Sequence, residues 1–180
     1  MSLIILDRDG VINYDSDEFI KSPDEWLPIP GSLMAIARLN RAGYKVVVAS
    51  NQSGIARGLF DLDTLNQIHE KMQDELARAG GVIEAILFCP HGPEDHCVCR
   101  KPKPGLFLEI AKRFNCDLTG IPAVGDSLRD IKAAQVVGAR PILVRTGKGL
   151  RALREGHFPN GTLVCDDLAA VADTLLHGTP

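Results

Sequence analysis

Residues 3–12 read LIILDRDGVI: four apolar residues, an aspartate, an arginine, a second aspartate, a glycine and two further apolar residues. An unbroken apolar run of this kind is the form of a strand buried on both faces. Carboxylates at the end of such a strand cost desolvation unless a cation or hydrogen-bond donors meet them. Asp7 and Asp9 therefore imply a partner.

The same pattern recurs along the chain. KVVVASN from Lys45, AILFC from Ala85, PAVGD from Pro122, PILVRT from Pro141 and TLVCDD from Thr162 are short runs that end in polar residues. Between most of them lie amphipathic patterns: GSLMAIARLNRAG from Gly31, DLDTLNQIHEKMQDELARAG from Asp61, PGLFLEIAKRF from Pro104 and DIKAAQVVGA from Asp130. A helix, a strand and a helix after Gly149 read as scaffold. The alternation predicts a doubly wound, Rossmann-like α/β fold with a mostly parallel sheet covered on both faces. Ligands of such sheets sit outside the carboxyl ends of the strands. Asp7 and Asp9 are delivered there, together with Ser50-Asn51-Gln52, the cluster Arg100, Lys101 and Lys103, and Asp126.

With 180 residues, 45% of them hydrophobic, a single domain over 1–180 is expected. A net charge of −3 from 20 basic and 23 acidic side chains gives no global field for nucleic acid or an anionic membrane. Nucleic acid is further disfavoured by an aromatic content of only 5%. Neither a long apolar span nor a leader-like segment is evident, so an unexported cytoplasmic protein is expected, with a monomer as the default. Residues 13–31, NYDSDEFIKSPDEWLPIPG, are too long for an ordinary connection and are read as an early active-site loop, too polar to be core.

Taken singly, these motifs are bland. An Asp-x-Asp often caps a helix or turn, VGDS can place Asp126 as an N-cap, Ser50-Asn51 can be a turn, and Arg100-Lys101 a solvated face. On successive strand ends they make a set: three aspartates, a hydroxyl and a lysine suit a magnesium ion and a phosphate.

CPHGPEDHCVC, residues 89–99, holds three thiols and a histidine spaced as Cys89-x-His91 and Cys97-x-Cys99. That set suits a closed tetrahedral structural zinc site, with His96 as a spare for His91 and free thiols as the bland alternative. Zinc would pin a loop poor in apolar side chains, and Arg100 and Lys101 follow Cys99 directly.

DRDGVI at Asp7–Ile12, Ser50 in SNQSG, Lys101 in RKPKPG and GDSLRD at Gly125–Asp130 together resemble the haloacid dehalogenase superfamily of phosphohydrolases. The resemblance implies that Asp7 attacks phosphorus to form an aspartyl-phosphate. Asp9 would protonate the leaving alkoxide and then activate water. Magnesium would be held by Asp7, the backbone carbonyl of Asp9, and Asp126, while Ser50 and Lys101 neutralise the phosphoryl oxygens. Asp130 would bond a metal water or Lys101, or simply open its helix.

Adding CPHGP, CVCRKPKPG and VRTGKG, the chain from about Leu3 to Gly149 is similar to the heptose-bisphosphate phosphatase branch. That branch supplies lipopolysaccharide core precursors. It implies a small phosphosugar touched by Asp15, Ser16, Asp17 and Glu18, by Ser50, Asn51, Gln52 and Ser53, by Arg100 and Lys101, and by Ser127. A histidinol-phosphate phosphatase is the alternative. The early loop, the short zinc loop and serine at 127, where lysine is often found, depart from the branch pattern and leave the sugar and anomer open. No cap-sized insertion separates the motifs, so the site is expected to be open and roofed by two loops. Arg57 is read as a rim cation for a far phosphate or a scaffold residue, Lys148 as a solvated loop lysine with a rim cation as the alternative.

Overall fold

A computed structural model describes residues 2–178. Six strands form one sheet: β1 (Ser2–Leu6), β2 (Tyr44–Asn51), β3 (Ala85–Cys89), β4 (Pro122–Gly125), β5 (Arg140–Val144) and β6 (Leu163–Cys165). Their order is β3-β2-β1-β4-β5-β6 and every pairing is parallel. The helices are α1 (Ser32–Arg41), α2 (Leu62–Arg78), α3 (Gly105–Phe114), α4 (Leu128–Val136), α5 (Gly149–Glu155) and α6 (Leu168–His177). None of the described helices is long and apolar enough to cross a membrane.

Side chains alternate across the sheet, so a continuous apolar strand feeds two cores at once. Ile4, Leu6, Val46 and Val48 pack with α1, α2 and α6, while Leu3, Ile5, Val47 and Ala49 pack with α3 and α4. Strand order reverses between β1 and β4, and there the connections leave toward opposite sides and open a crevice. The two strands ending in Asp7 and Asp126 flank that crevice as neighbours.

Two sequence expectations need correction. Residues 13–31 contribute to the core: Trp26 is fully buried, and Ile20 and Ile29 are nearly so. The segment folds back on itself, with Tyr14 N–H donating to Leu27 O and Ile29 N–H to Ile12 O, so its widely spaced apolar residues face inward together. Lys71 of α2 anchors it by donating to the carbonyls of Pro23 and Trp26. Only the tip near Asp15–Phe19 is left to face the crevice. Second, α4 begins at Leu128 rather than Asp130. Its N-cap is Ser127, in a capping box with Asp130, so Asp126 is released from capping.

Candidate active site

Asp7 leaves the end of β1 beside Lys101, whose Nζ stands 3.2 Å from Asp7 Oδ1, 2.6 Å from Asp130 Oδ1 and 2.7 Å from the Ala49 carbonyl. Lys101 is almost fully buried. Burial pushes its ammonium down, but Asp130 and Asp7 outweigh this and hold it up at about 12. Burial and the charges of Asp130 and Asp9 push Asp7 up to about 7, against the pull of Lys101. Asp126 is raised as well, by burial and then by Asp130 and Asp7.

One lysine therefore serves too many acids. Ligand oxygens of Asp7, Asp126 and Asp130 lie within 4.8 Å of one another. Both oxygens of Asp130 are engaged, one by Lys101 and the other by Ser127 Oγ at 2.7 Å and the N–H groups of Asp126 and Ser127. Asp7 uses Oδ1 for the Arg8 N–H and Lys101, and Asp126 uses Oδ2 for the Lys148 N–H at 2.8 Å. Asp7 Oδ2 and Asp126 Oδ1 take no hydrogen bond from a described residue. Two free carboxylate oxygens beside a solvent-open cavity fit a hard cation that keeps water and phosphate ligands, with Asp130 as a strut.

Asp9 turns to the opposite wall. Arg8, fully buried, grips it through Nε at 3.0 Å and Nη2 at 2.8 Å, and Asn13 and Gln52 each donate at 2.9 Å. Burial raises Asp9, but Arg8 and these amides outweigh it and leave the carboxyl below its ordinary range. Gln52 also donates to Ser50 Oγ at 2.9 Å, so its amide ties two expected catalytic groups together. Ser50 is buried just behind the cavity wall, and Asn51 clamps the backbone of Lys101, donating to its carbonyl and accepting from its N–H.

The cavity, about 210 Å³, is lined by Asp7, Asp9 and Asp126 at its base and by Asp15, Ser16, Asp17, Asn51, Gln52, Ser53, Lys101 and Ser127 on its walls. Glu18 is exposed and outside this lining. Arg57, Arg100 and Arg129 stand at the cavity mouth, and Lys148, expected to be a solvated lysine, pairs with Asp15 at 3.3 Å. Motif reasoning missed Arg129 and the inward role of Arg8, and it used VRTGKG without placing loop 145–149 against the acids. That loop presses on the acids: a Cβ on Gly147 would lie 2.2 Å from Asp126 Oδ2. The two glycines flanking Lys148 were the available signal.

At the end of β3, Cys89, His91, Cys97 and Cys99 converge with ligand atoms within 4.8 Å of one another. His91 Nδ1 lies 3.5 Å from Cys89 Sγ and 3.3 Å from Cys99 Sγ, and Cys89 and Cys97 are 3.6 Å apart. Cys89 and Cys99 Sγ come as close as 2.7 Å, nearer than the ligands of a tetrahedral zinc with sulfur at about 2.3 Å, so an ion would spread that pair; the set of three thiols and one imidazole is one zinc takes. The described cysteines are free thiols, not disulfides. His96 is exposed and in the left-handed region, outside the cluster. The loop meets the site through Arg100, whose N–H donates to Cys97 Sγ.

Family models match over residues 3–133, described as polynucleotide kinase 3 phosphatase, and over residues 98–171, described as HAD-hydrolase-like. D-glycero-beta-D-manno-heptose-1,7-bisphosphate 7-phosphatases of Bordetella bronchiseptica and Pseudomonas aeruginosa are 62% and 56% identical, over 98% and 97% of this chain and 98% of each relative. A crystal structure of D,D-heptose 1,7-bisphosphate phosphatase from B. bronchiseptica, complexed with magnesium and phosphate, superimposes with a TM-score of 0.98 at 61% identity, covering 99% of this chain and all of that one. The acids at the β1/β4 crevice, the paired lysine and the thiol cluster thus sit in a chain that belongs to the D-glycero-beta-D-manno-heptose-1,7-bisphosphate 7-phosphatase family of haloacid dehalogenase-like hydrolases.

Proposed function

We propose that the chain is a magnesium-dependent phosphomonoesterase that removes the 7-phosphate of D-glycero-β-D-manno-heptose 1,7-bisphosphate through an aspartyl-phosphate on Asp7. The carrying observation is Asp7 held by Lys101 in a cavity with free carboxylate oxygens at its base and guanidinium groups at its mouth. Asp7 attacks phosphorus. Lys101 and the Ser50 hydroxyl take the charge of the phosphoryl oxygens, while Asp9, ionised in the resting site, takes up a proton when the phosphate dianion enters, gives it to the leaving oxygen and afterwards takes one from the attacking water. Asp7 and Asp126, with the Asp9 carbonyl, would hold magnesium, which when bound neutralises the phosphoryl charge. The β-anomer is the one for which its relatives are named. Phosphorus NMR of the purified enzyme with either anomer tests this: loss of the 7-phosphate with the 1-phosphate intact is expected. Preferential turnover of histidinol phosphate would overturn the sugar assignment while leaving the chemistry.

The far phosphate meets the mouth of the cavity. Arg57, Arg100 and Arg129 carry no ion pair with a described carboxylate. Burial, then the charges of Arg129 and Arg57, push Arg100 below its ordinary range. Like charges gathered at one rim are relieved by an anion. Arg129→Ala is expected to raise KM for the bisphosphate about tenfold, a loss of roughly 1.4 kcal/mol, and to leave KM for a sugar monophosphate unchanged. Equal losses on both substrates would remove Arg129 from the subsite.

Cys89, His91, Cys97 and Cys99 are proposed to hold a structural zinc that fixes Arg100 and Lys101. Cys97→Ala is expected to drop zinc below one per chain by elemental analysis and to cut activity about tenfold through the loosened loop. Stoichiometric zinc in that variant would exclude this ligand set.

A further inference from the structure

The face of α2 turned inward is apolar except at one position. Leu65, Ile68, Met72 and Leu76 fill it, and among them stands His69, only 7% exposed. Its Nε2 lies 3.2 Å from Arg8 Nη1, and its ring tilts against Phe88 of β3 at 6.2 Å between centroids. Arg8 has no accessible surface at all. A guanidinium out of water is costly unless its donors are placed, and here Nε and Nη2 go to Asp9 while Nη1 goes to His69. For Nε2 to accept that N–H the ring must be neutral, with its proton on Nδ1. Burial and then the Arg8 charge push His69 down to about 4, which keeps it in that form.

We infer that His69 is a positioning residue for the acid/base step: by locking the Arg8 guanidinium in plane, it holds the two-point grip that aims the Asp9 carboxylate. An apolar side chain in its place would fill α2's inward face equally well, but would leave one Arg8 donor without an acceptor. The guanidinium would then turn to find one. A planar fork tolerates little rotation, because two N–H groups must meet one carboxylate together. Asn13 and Gln52 bond single Asp9 oxygens and cannot restore the aim alone.

The inference rests on Asp9 acting as the acid and base, and the test separates the two. kcat/KM reports the phosphorylation step, in which an alkyl leaving group needs a proton and 2,4-dinitrophenolate does not. His69→Leu is expected to lower kcat/KM for an alkyl phosphate monoester about tenfold and for 2,4-dinitrophenyl phosphate less than about twofold, with inhibition by inorganic phosphate unchanged. His69→Gln, whose amide oxygen can accept the same N–H, is expected to recover most of the alkyl rate. If the leucine variant does not fold, Arg8→Met must show the same split. Equal losses on both esters, or no loss on the alkyl ester, overturns the positioning role. Asp9→Asn serves as the reference: if it lacks the split, the acid/base assignment itself fails, whereas a split in Asp9→Asn without one in His69→Leu defeats only the His69 inference.

Discussion

Asp7→Asn is expected to reduce kcat by at least about 10⁴-fold, because the amide is a poor nucleophile and no other carboxylate is placed to replace it. Asp126 and Asp130 are near, but Asp130 is bonded at both oxygens and Asp126 is held through Oδ2 by the Lys148 N–H. Inorganic phosphate is expected to bind the variant still, since Lys101 and the cavity mouth are untouched. The stability effect runs the other way. Asp7, raised from 3.8 to about 7, favours folding most when protonated, and that contribution is lost as pH climbs from about 4 through 7. Metal-free Asp7→Asn is therefore expected to melt above the metal-free parent at pH 8 and level with it at pH 4. Residual turnover within about a hundredfold of the parent would exclude Asp7 as the nucleophile.

How much of this was visible beforehand follows from which contacts are local. β1 was legible because LIIL is apolar at both parities, which only a two-faced sheet can bury. Asp7, Asp9 and Asp126 were legible because strand ends in such a sheet have one destination. The thiol cluster was legible because its four ligands lie within eleven residues of sequence. Long-range pairing was not. His69 stands 61 residues from Arg8, and nothing in NQIHEKM marks that position as polar for a reason other than solvent. Trp26 was misread for a related cause: it follows two acids in a polar segment, and only the return of residues 13–31 against α2 turns it inward. Side-chain roles were also blurred where residues cluster. Gln52, expected to touch substrate, lines the cavity, and its amide nitrogen also ties Asp9 to Ser50, a role its sequence does not mark.

Those commitments make the site a set of linked clamps rather than a collection of independent groups. Asn51 holds the backbone of Lys101 from β2, the thiol loop after β3 holds the N–H of its neighbour Arg100, and Asp130 holds its ammonium from α4. Three elements that fold at different points of the chain thus converge on residues 100 and 101. Asp130 is shared with the α4 cap through Ser127, so the capping box that starts the helix also sets the lysine's height in the cavity.

Lys101→Met is expected to be the most damaging change to activity after loss of Asp7 and, unlike that loss, to cost stability as well. The ammonium neutralises Asp7 and Asp130 and donates to the Ala49 carbonyl; the thioether can do none of this. Removing one partner of a buried ion pair typically costs about 3–5 kcal/mol, since the remaining charge has neither water nor a counter-ion. Here two carboxylates are stranded. A large drop in melting temperature is expected, partly reversed at pH 5, where Asp7 takes a proton. kcat/KM is expected to fall by about 10³-fold, the scale on which losing a single preorganised charge at an oxyanion acts. Lys101→Arg should not rescue it: the pocket presents three acceptors around one point, which suits a compact ammonium and not a planar fork. A melting shift smaller than about 3 °C in the methionine variant would show that the two acids relax into solvent instead, and the lysine would then be a phosphate ligand without a structural role.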